Sequence, residues 1–402
     1  MADQVDGEAD IPNGTATTPT GQPGDNHDLQ VMNTAPSPAS GASYYLTFLT
    51  GTVQPLNDWV SGKPLVVQFV NAVARSLGQP LFVNNPYSGL LILAGLFVQS
   101  PWRTVCGLLA LLVAQVSAMI LRLDQQGVDN GSFSFNGLLV GYVLASNSAG
   151  GDWDGYLVFP VIFCGIFSTI LSSALCSLLS RWGIPSFNLA FNVVVVSFVA
   201  ATGPDNHHFP QKGGASPLPT SWGVEPLDWL QILASIPRGI AQCYGSDNLV
   251  TGCLMSVGML VCSPIVCCHC ILGSMMGSLT GLALAATPSE IYNGSWSYNS
   301  ALACGAIGGV FYVLNWSSHI MGLLAAVFAA CVRGAMTTFF AHVHCPVVAF
   351  PFCIVAGLFL LVDSNSKQLL RVPADRVTCP EEHRRLFKQN NVAVSNADDD
   401  PT

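Results

Sequence analysis

Two short stretches place neutral hydrogen-bonding side chains where apolar segments begin. The first runs from Gln79 to Gly89 (QPLFVNNPYSG) and the second from Gln242 to Gly252 (QCYGSDNLVTG). Their polar and glycine positions match at one constant offset, which pairs Gln79 with Gln242, Asn85 with Asn248, Ser88 with Thr251 and Gly89 with Gly252. Amides and hydroxyls both donate and accept hydrogen bonds. The paired stretches therefore indicate recognition of a small polar solute through uncharged groups.

Further matches extend along the chain. At the same offset, Ser100-Pro101 matches Ser263-Pro264 and Phe135-Asn136 matches Tyr298-Asn299, while Pro185 to Asn192 matches Pro346 to Cys353 at a slightly shorter offset. Self-similarity at a fixed spacing is the signature of an internal repeat. The chain is therefore predicted to contain two related halves.

The composition indicates a membrane protein. Half of the 402 residues are apolar, only 9% are charged and the mean hydropathy is +0.48, whereas a soluble domain carries about 25% charged residues. The scarcity of cations also speaks against nucleic-acid binding. The run Cys267-Cys268-His269-Cys270 resembles a metal cluster, but adjacent ligands on a helix cannot all face one ion, so no metal and no cofactor is expected.

The predicted fold is an all-α polytopic membrane protein with two inverted repeats, each of about five transmembrane helices plus a re-entrant half-helix. The predicted boundaries are a disordered cytoplasmic tail at 1–43, a first repeat at 44–203, an extracellular loop at 204–238, a second repeat at 239–363 and a cytoplasmic tail at 364–402. Six of the 14 Lys and Arg residues lie in the last segment. The positive-inside rule then places the C-terminus in the cytoplasm, and we expect the N-terminus there too.

Interrupted helices in inverted repeats place a solute site near the membrane midplane. Unwound backbone cannot face lipid, so it must face protein or a water-filled path. Ion-coupled transporters usually need ionisable groups within the membrane, and Asp247 and Glu290 are the main candidates. The sequence therefore favours passive conduction of a neutral solute. The alternative is an ion-coupled secondary transporter that uses one of those carboxylates, and a membrane enzyme would need converging catalytic residues that the sequence does not offer.

From about Pro64 to Arg385 the chain resembles the vertebrate-type facilitative urea transporters. The motifs that carry the resemblance are Gln79 with Phe82 to Gly89, Phe135 to Gly141, Gln242 with Asp247-Asn248, Tyr298 to Cys304, Pro351 to Cys353 and Arg376 to Glu382. The resemblance implies passive, channel-like transport of urea across the cell (plasma) membrane. It also implies a homotrimer with one pore per subunit.

The resemblance assigns roles to individual positions. Gln79 and Gln242 match the polar residues of two urea sites, and Phe82, Leu139 and Leu302 match the walls of a flat slot, with Tyr244 as a weaker candidate for a second aromatic wall. The midpoint positions, usually threonine in the family, are Asn188 and Ala349, so altered rate or selectivity is expected there. The residues expected to support the helix breaks are Asn84, Asn85, Pro86, Asn136, Asn248 and Asn299.

Overall fold

The computed structural model describes residues 49–202, 206–209, 226–364, 368–373 and 376–398. Of the described residues, those up to 385 belong to one compact unit and 386–398 belong to another. Within the described residues the secondary structure is helical, and the one extended pairing is an antiparallel bridge between Tyr312 and Arg371. The predicted tail 1–43 lies outside the described residues.

The α-helices are numbered in chain order. The first eight are α1 Gln54–Ser61, α2 Leu65–Ser76, α3 Pro86–Gln99, α4 Pro101–Ile120, α5 Gln125–Asp129, α6 Phe135–Asn147, α7 Val158–Leu179 and α8 Leu189–Ala201. The next eight are α9 Trp229–Gln242, α10 Leu249–Cys262, α11 Pro264–Ala283, α12 Pro288–Tyr292, α13 Tyr298–Gly305, α14 Trp316–Ala341, α15 Phe350–Leu360 and α16 Pro380–Asp398. Short 3₁₀ turns lie at Gln79–Leu81, Gly155–Leu157 and Ser180–Trp182, and a π-helical turn at Ala306–Val310.

Four helical segments among the described residues are long and apolar enough to cross a membrane, namely Pro101–Ile120, Gly155–Trp182, Pro264–Ala283 and Trp316–Ala341. Five shorter apolar helices accompany them: α2, α3, α8, α10 and α15. A straight span needs about 20 residues. Each of the shorter helices can therefore cross only part of a bilayer by itself, and two of them in succession would be needed for a full span. The all-α polytopic class is confirmed, whereas five spans per repeat and their inverted arrangement stay predictions.

Serine followed by proline begins two of the long helices. The Ser100 Oγ accepts a hydrogen bond from the Arg103 N–H at 3.3 Å, and the Ser263 Oγ accepts one from the Val266 N–H at 3.1 Å. Serine satisfies a free N–H of the first turn, and proline at the first helical position has no N–H to satisfy. The two helices therefore start by the same device at positions that match in the sequence repeat.

The helix α9 begins inside the range 204–238, which was predicted to be a loop. The Asp228 Oδ1 accepts hydrogen bonds from the N–H groups of Leu230 and Gln231, at 2.9 and 3.2 Å. This carboxylate cap starts the helix at Trp229 despite the polar, proline-rich sequence before it. Pro237 lies within α9 and does not end the helix.

The helices α6 and α13 lie at the centre of the larger unit. Ten consecutive residues of α6, from Asn136 to Ala145, are buried, and α13 is buried from Asn299 to Gly305. Gly141 permits close packing of α4 on α6, because a Cβ there would lie 2.3 Å from the Cys106 carbonyl oxygen. A helix that is buried on every face belongs to a core. The short helix α8 packs against α6, and the short helix α15 packs against α13.

Candidate functional site

The first broken stretch joins α2 to α3 and holds Phe82 in an unusual conformation. After the 3₁₀ turn Gln79–Leu81, Phe82 has a positive φ of 61°, and its N–H donates to the Gln79 carbonyl oxygen at 2.9 Å. A left-handed conformation costs an L-residue about 1–2 kcal/mol. Such strain persists where surrounding structure imposes it and is concentrated at functional sites. Phe82 is therefore a candidate by geometry as well as by sequence.

Asparagines anchor the end of this stretch. The Asn85 Oδ1 accepts from the backbone N–H groups of Tyr87 and Ser88, at 2.9 and 3.3 Å, and caps α3. Pro86 occupies the first turn of that helix. The buried Arg75 donates from Nη1 to the Asn84 carbonyl oxygen at 2.7 Å. These contacts satisfy backbone groups that the break leaves without helical partners.

The second stretch has the same local geometry. Gly245 has a φ of 80°, and its N–H donates to the Gln242 carbonyl oxygen at 2.9 Å. The Asn248 Oδ1 accepts from the Val250 and Thr251 N–H groups, at 2.8 and 3.1 Å, and caps α10. Each bond has its counterpart at the matching position of the first stretch, so the two breaks are built alike.

Gly245, and not Tyr244, occupies the position equivalent to Phe82. The Tyr244 side chain is fully buried, and its hydroxyl donates to the Leu77 carbonyl oxygen at 2.6 Å. This bond ties the second broken stretch to the end of α2. A role for Tyr244 as second aromatic wall stays a prediction, and no aromatic side chain stands at the matching position itself.

The two glutamines hold their amide groups in the same way. The Gln79 Nε2 donates to the Asn130 carbonyl oxygen at 2.8 Å, and the Gln242 Nε2 donates to the Asn293 carbonyl oxygen at 3.1 Å. Asn130 and Asn293 are themselves related by the offset that relates the glutamines. Each bond uses one of the two amide N–H groups, so the oxygen and the second N–H of each glutamine remain for other partners.

Asn136 and Asn299 cap the short helices α8 and α15 from a distance. The Asn136 Oδ1 accepts from the Phe191 N–H at 3.2 Å, and the Asn299 Oδ1 accepts from the Phe352 N–H at 3.0 Å. Both N–H groups lie in a first helical turn, where no intrahelical acceptor exists. Caps on α6 and α13 thus replace the local caps that helices normally carry.

The two residues expected at the midpoint of the pore therefore do not need to cap the helices that follow them. Asn188 and Ala349 precede α8 and α15, and neither side chain makes a cap hydrogen bond. The Ala349 N–H donates to the Asn192 Oδ1 at 2.9 Å. The buried Asn188 Nδ2 has no hydrogen-bond partner among the described residues. An unpaired buried donor costs about 1–3 kcal/mol, so this amide is a candidate for bonding to a solute.

Four phenylalanine rings form one cluster, Phe82, Phe187, Phe311 and Phe352. Their ring centroids are 5.0–6.1 Å apart in edge-to-face pairs, with Phe82 and Phe187 each against Phe311 and Phe352. Sequence reasoning missed Phe311, which follows the π-helical turn after α13. The glycine pair at 308 and 309 was the only sequence signal for that irregular backbone.

On the side of Gln242 a cavity of about 420 Å³ reaches the midpoint. Its lining includes Gln242, Gly245, Val348 and Ala349. The predicted wall residues Leu139 and Leu302 are fully buried in the central helices α6 and α13. The structure thus brings Gln242 and Ala349 to one cavity, and it brings Phe82 to the ring cluster.

The carboxylates that an ion-coupled mechanism would need make other contacts. The Glu290 Oε2 accepts from the Trp296 Nε1 at 3.0 Å and lies 3.2 Å from the Arg333 Nη1. Asp247 is exposed, and its Oδ1 accepts from the Gln99 Nε2 at 3.3 Å. His269, from the run that resembled a metal cluster, hydrogen bonds to a neighbouring histidine and to a backbone carbonyl.

Apolar spans and paired helix breaks with neutral hydrogen-bonding groups define a polytopic membrane protein. The chain belongs to the urea transporter family, whose profile, described as urea transporter, matches residues 70–364. It is 39% identical to urea transporter 1 of Rattus norvegicus over 351 residues, which cover 87% of this chain and 91% of the relative. The same relative from Mus musculus is 39% identical over 347 residues, covering 86% of this chain and 90% of the relative. That from Ovis aries is 38% identical with the same coverage.

Proposed function

We propose that the chain transports urea passively, as a channel and not as an enzyme. Family membership supports urea as the substrate. The observation that carries the mechanism is the matched pair of glutamines. Each amide nitrogen is held by a backbone carbonyl, which leaves the amide oxygen to accept from a urea N–H. No observation favours coupling to an ion.

The acceptors work by replacing water. Dehydration removes several hydrogen bonds from urea, and each one left unmade in a dry site costs about 1–3 kcal/mol. Acceptors at Gln79 and Gln242, with a polar group at Asn188 between them, would restore these bonds in steps. A solute must bind well enough to enter and weakly enough to leave, and several neutral sites satisfy both needs.

The remaining wall residues form part of the same proposal. Phe82, Leu139 and Leu302 are assigned to the apolar walls of the slot, and Tyr244 is the weaker candidate for a second aromatic wall. Phe82 is supported by its strained backbone and its place in the ring cluster. Ala349 is supported by its position on the cavity that Gln242 also lines. A wall of rings and aliphatic groups suits a flat solute and offers nothing to an ion.

The assembly and the membrane setting are also proposals. A homotrimer in the plasma membrane, with one pore per subunit and both termini cytoplasmic, follows from the family resemblance and from the basic C-terminal segment. The matched hydrogen bonds at Gln79 and Gln242 support two related halves, predicted at 44–203 and 239–363, and the family resemblance supports their opposite topology. Because α9 begins at Trp229, the second half would start there and not at residue 239. The loop between them would then start near residue 204 and end at the cap of α9, Asp228.

The test is urea flux into proteoliposomes that contain the purified chain. We expect entry faster than in protein-free vesicles and independent of sodium and proton gradients. Gln79→Leu and Gln242→Leu should each lower the flux, whereas Gln54→Leu, at an exposed residue of α1 that bonds to Asp58, is the matched control. Flux no faster than in empty vesicles would refute the proposal. Accumulation that requires an ion gradient would favour the ion-coupled alternative.

A further inference from the structure

A cavity of about 400 Å³ lies between α2, α4 and α5, and none of the proposed pore residues lines it. Gln115, which is only 1% exposed, lines this cavity from α4. Its Nε2 donates to the Val128 carbonyl oxygen at 3.0 Å, whereas its buried Oε1 has no hydrogen-bond partner among the described residues. A buried acceptor without a donor is unfavourable. A ligand of this cavity, the Gln115 cavity, would therefore be one that donates a hydrogen bond.

The matching place in the second half is built differently. At the offset that relates the two halves, Gln115 corresponds to Ser278, whose Oγ hydrogen bonds to two other serine hydroxyls at 2.7 Å each. The backbone nevertheless matches, since Arg122 has φ 52° and its counterpart Ala285 has φ 58°. The shared fold therefore does not require an unpartnered acceptor here. The difference points to a ligand site that belongs to the first half alone.

Two charged side chains of opposite sign also line the Gln115 cavity. Arg122 and Asp129 are both exposed. Arg122 forms no ion pair among the described residues, and the Asp129 Oδ1 accepts from the Gln125 Nε2 at 2.8 Å. A guanidinium binds phosphate well, and a carboxylate attracts an ammonium group. The pair therefore complements a zwitterionic headgroup better than a simple anion.

The Gln115 cavity lies where α4 ends. This helix, Pro101–Ile120, is long and apolar enough to cross a membrane, and Arg122 follows it. An arginine just beyond a span lies at the level of the lipid headgroups, and Gln115 precedes it by roughly two helical turns. Leu65, which lines the cavity, and Ile120 are 62% and 75% exposed. These apolar surfaces border the cavity at the depth where lipid chains begin.

We propose that the Gln115 cavity binds the interfacial part of a phosphosphingolipid. The phosphate would contact Arg122, the choline group would face Asp129, and the amide N–H or the hydroxyl below the phosphate would donate to the Gln115 Oε1. The chains would lie along Leu65 and Ile120. A glycerophospholipid with the same headgroup has ester carbonyls at this depth, which only accept hydrogen bonds. The inference does not rest on the proposed urea pathway.

The experiment measures lipid binding to the full chain, purified in detergent, by native mass spectrometry. The probes are N-palmitoyl sphingomyelin and dipalmitoyl phosphatidylcholine, which share the phosphocholine headgroup. We expect sphingomyelin to bind at least about fivefold more tightly, because one buried hydrogen bond separates the two lipids. Sphingomyelin methylated on its amide nitrogen and hydroxyl should lose this advantage. Equal affinity for sphingomyelin and phosphatidylcholine would overturn the inference and leave the Gln115 Oε1 to water.

Two variants separate the hydrogen bond from the charge. Gln115→Met removes the acceptor, so it should abolish the preference for sphingomyelin and leave phosphatidylcholine binding unchanged. Arg122→Gln should weaken both lipids by a similar factor and keep the preference. Arg103→Gln, at the opposite end of α4, is the matched control and should change neither quantity. A preference that survives in Gln115→Met would place the sphingomyelin elsewhere.

A third variant keeps the test valid if Gln115→Met does not fold, since that change also removes the bond to Val128. Leu65→Trp narrows the cavity from an exposed position and should weaken sphingomyelin binding at least about fivefold, whereas Leu90→Trp, at an exposed position on α3, should not. Unchanged binding in Leu65→Trp would reject the site. Cholesterol, which has one hydroxyl and no phosphate, tests the rival occupant. Cholesterol that displaces sphingomyelin at equal concentration, with an affinity that Arg122→Gln leaves unchanged, would overturn the assignment to a phosphosphingolipid.

Discussion

Replacing Asn299 with alanine removes the cap that α13 provides to α15. The Asn299 Oδ1 accepts from the Phe352 N–H at 3.0 Å, and its Nδ2 donates to the Val348 carbonyl oxygen at 3.3 Å. That carbonyl keeps a second donor, the Tyr298 hydroxyl at 2.6 Å. The truncation therefore leaves one buried N–H without a partner and leaves the carbonyl satisfied.

The magnitude follows from which of these effects dominates. A hydrogen bond between membrane helices contributes on average about 0.6 kcal/mol, whereas a buried donor left unmade costs about 1–3 kcal/mol. The orphaned Phe352 N–H is the larger effect, so Asn299→Ala should lower the unfolding free energy by about 1–3 kcal/mol. Tyr298→Phe leaves Val348 with its asparagine donor and should cost less than about 1 kcal/mol.

The assay is unfolding of the purified chain in detergent, followed by helical circular dichroism, with urea flux measured in parallel. Because the two side chains share the Val348 carbonyl, the double variant should be less stable than the sum of the single changes predicts. A loss below about 0.5 kcal/mol for Asn299→Ala, or equal losses for both single variants, would refute the claim that Asn299 acts as the cap of α15.

Three further predictions concern the tail and the midpoint. Burial lowers the pKa of His383, whose Nε2 accepts from the Thr378 N–H at 2.9 Å. The pKa of this histidine is therefore higher in the unfolded state than in the folded state. Its contribution to stability is present above about pH 6.5 and is lost as the pH falls below that value. Thermal unfolding measured against pH should show this loss, and His383→Phe should make the melting temperature less dependent on pH. The Glu381 carboxylate accepts from the Ser263 hydroxyl and the Ile265 N–H at the start of α11, so Glu381→Gln should cost about 0.3–1 kcal/mol at low salt, less at high salt, and more than Glu382→Gln. Ala349→Thr adds a hydroxyl at the midpoint of the pore and should shift the half-saturating urea concentration by about 2- to 10-fold. Ala349→Val, in which valine has the shape of threonine without its hydroxyl, should not reproduce that shift.

The sequence predicted the paired breaks because their signal is local. The spacing of Gln79 and Gln242 is read directly from the chain, and Asn85 and Asn248 cap the helices that follow them by hydrogen bonds to nearby backbone N–H groups. Contacts of this kind depend on neighbouring residues alone. The all-helical membrane class followed in the same way, from composition.

The contacts that reach across the fold could not be predicted from spacing. Asn136 caps α8 from 55 residues away, and the Tyr244 hydroxyl bonds to a carbonyl 167 residues away. Phe311 reaches the ring cluster through a π-helical turn that the apolar pattern conceals. Tyr244 is the aromatic residue next to the position that matches Phe82, whereas the φ angles identify Gly245 as the equivalent residue.

The fixed amides of Gln79 and Gln242 also determine which hydrogen-bonding groups the pathway offers to a solute. One N–H of each amide is bound to a backbone carbonyl, which fixes the amide and leaves its oxygen and its second N–H for a solute. Urea can donate to the oxygen and accept from the second N–H, whereas an aprotic molecule of similar size, such as acetone, can only accept and leaves the oxygen without a donor. The two positions thus discriminate by hydrogen-bond polarity, which neither size nor charge exclusion achieves.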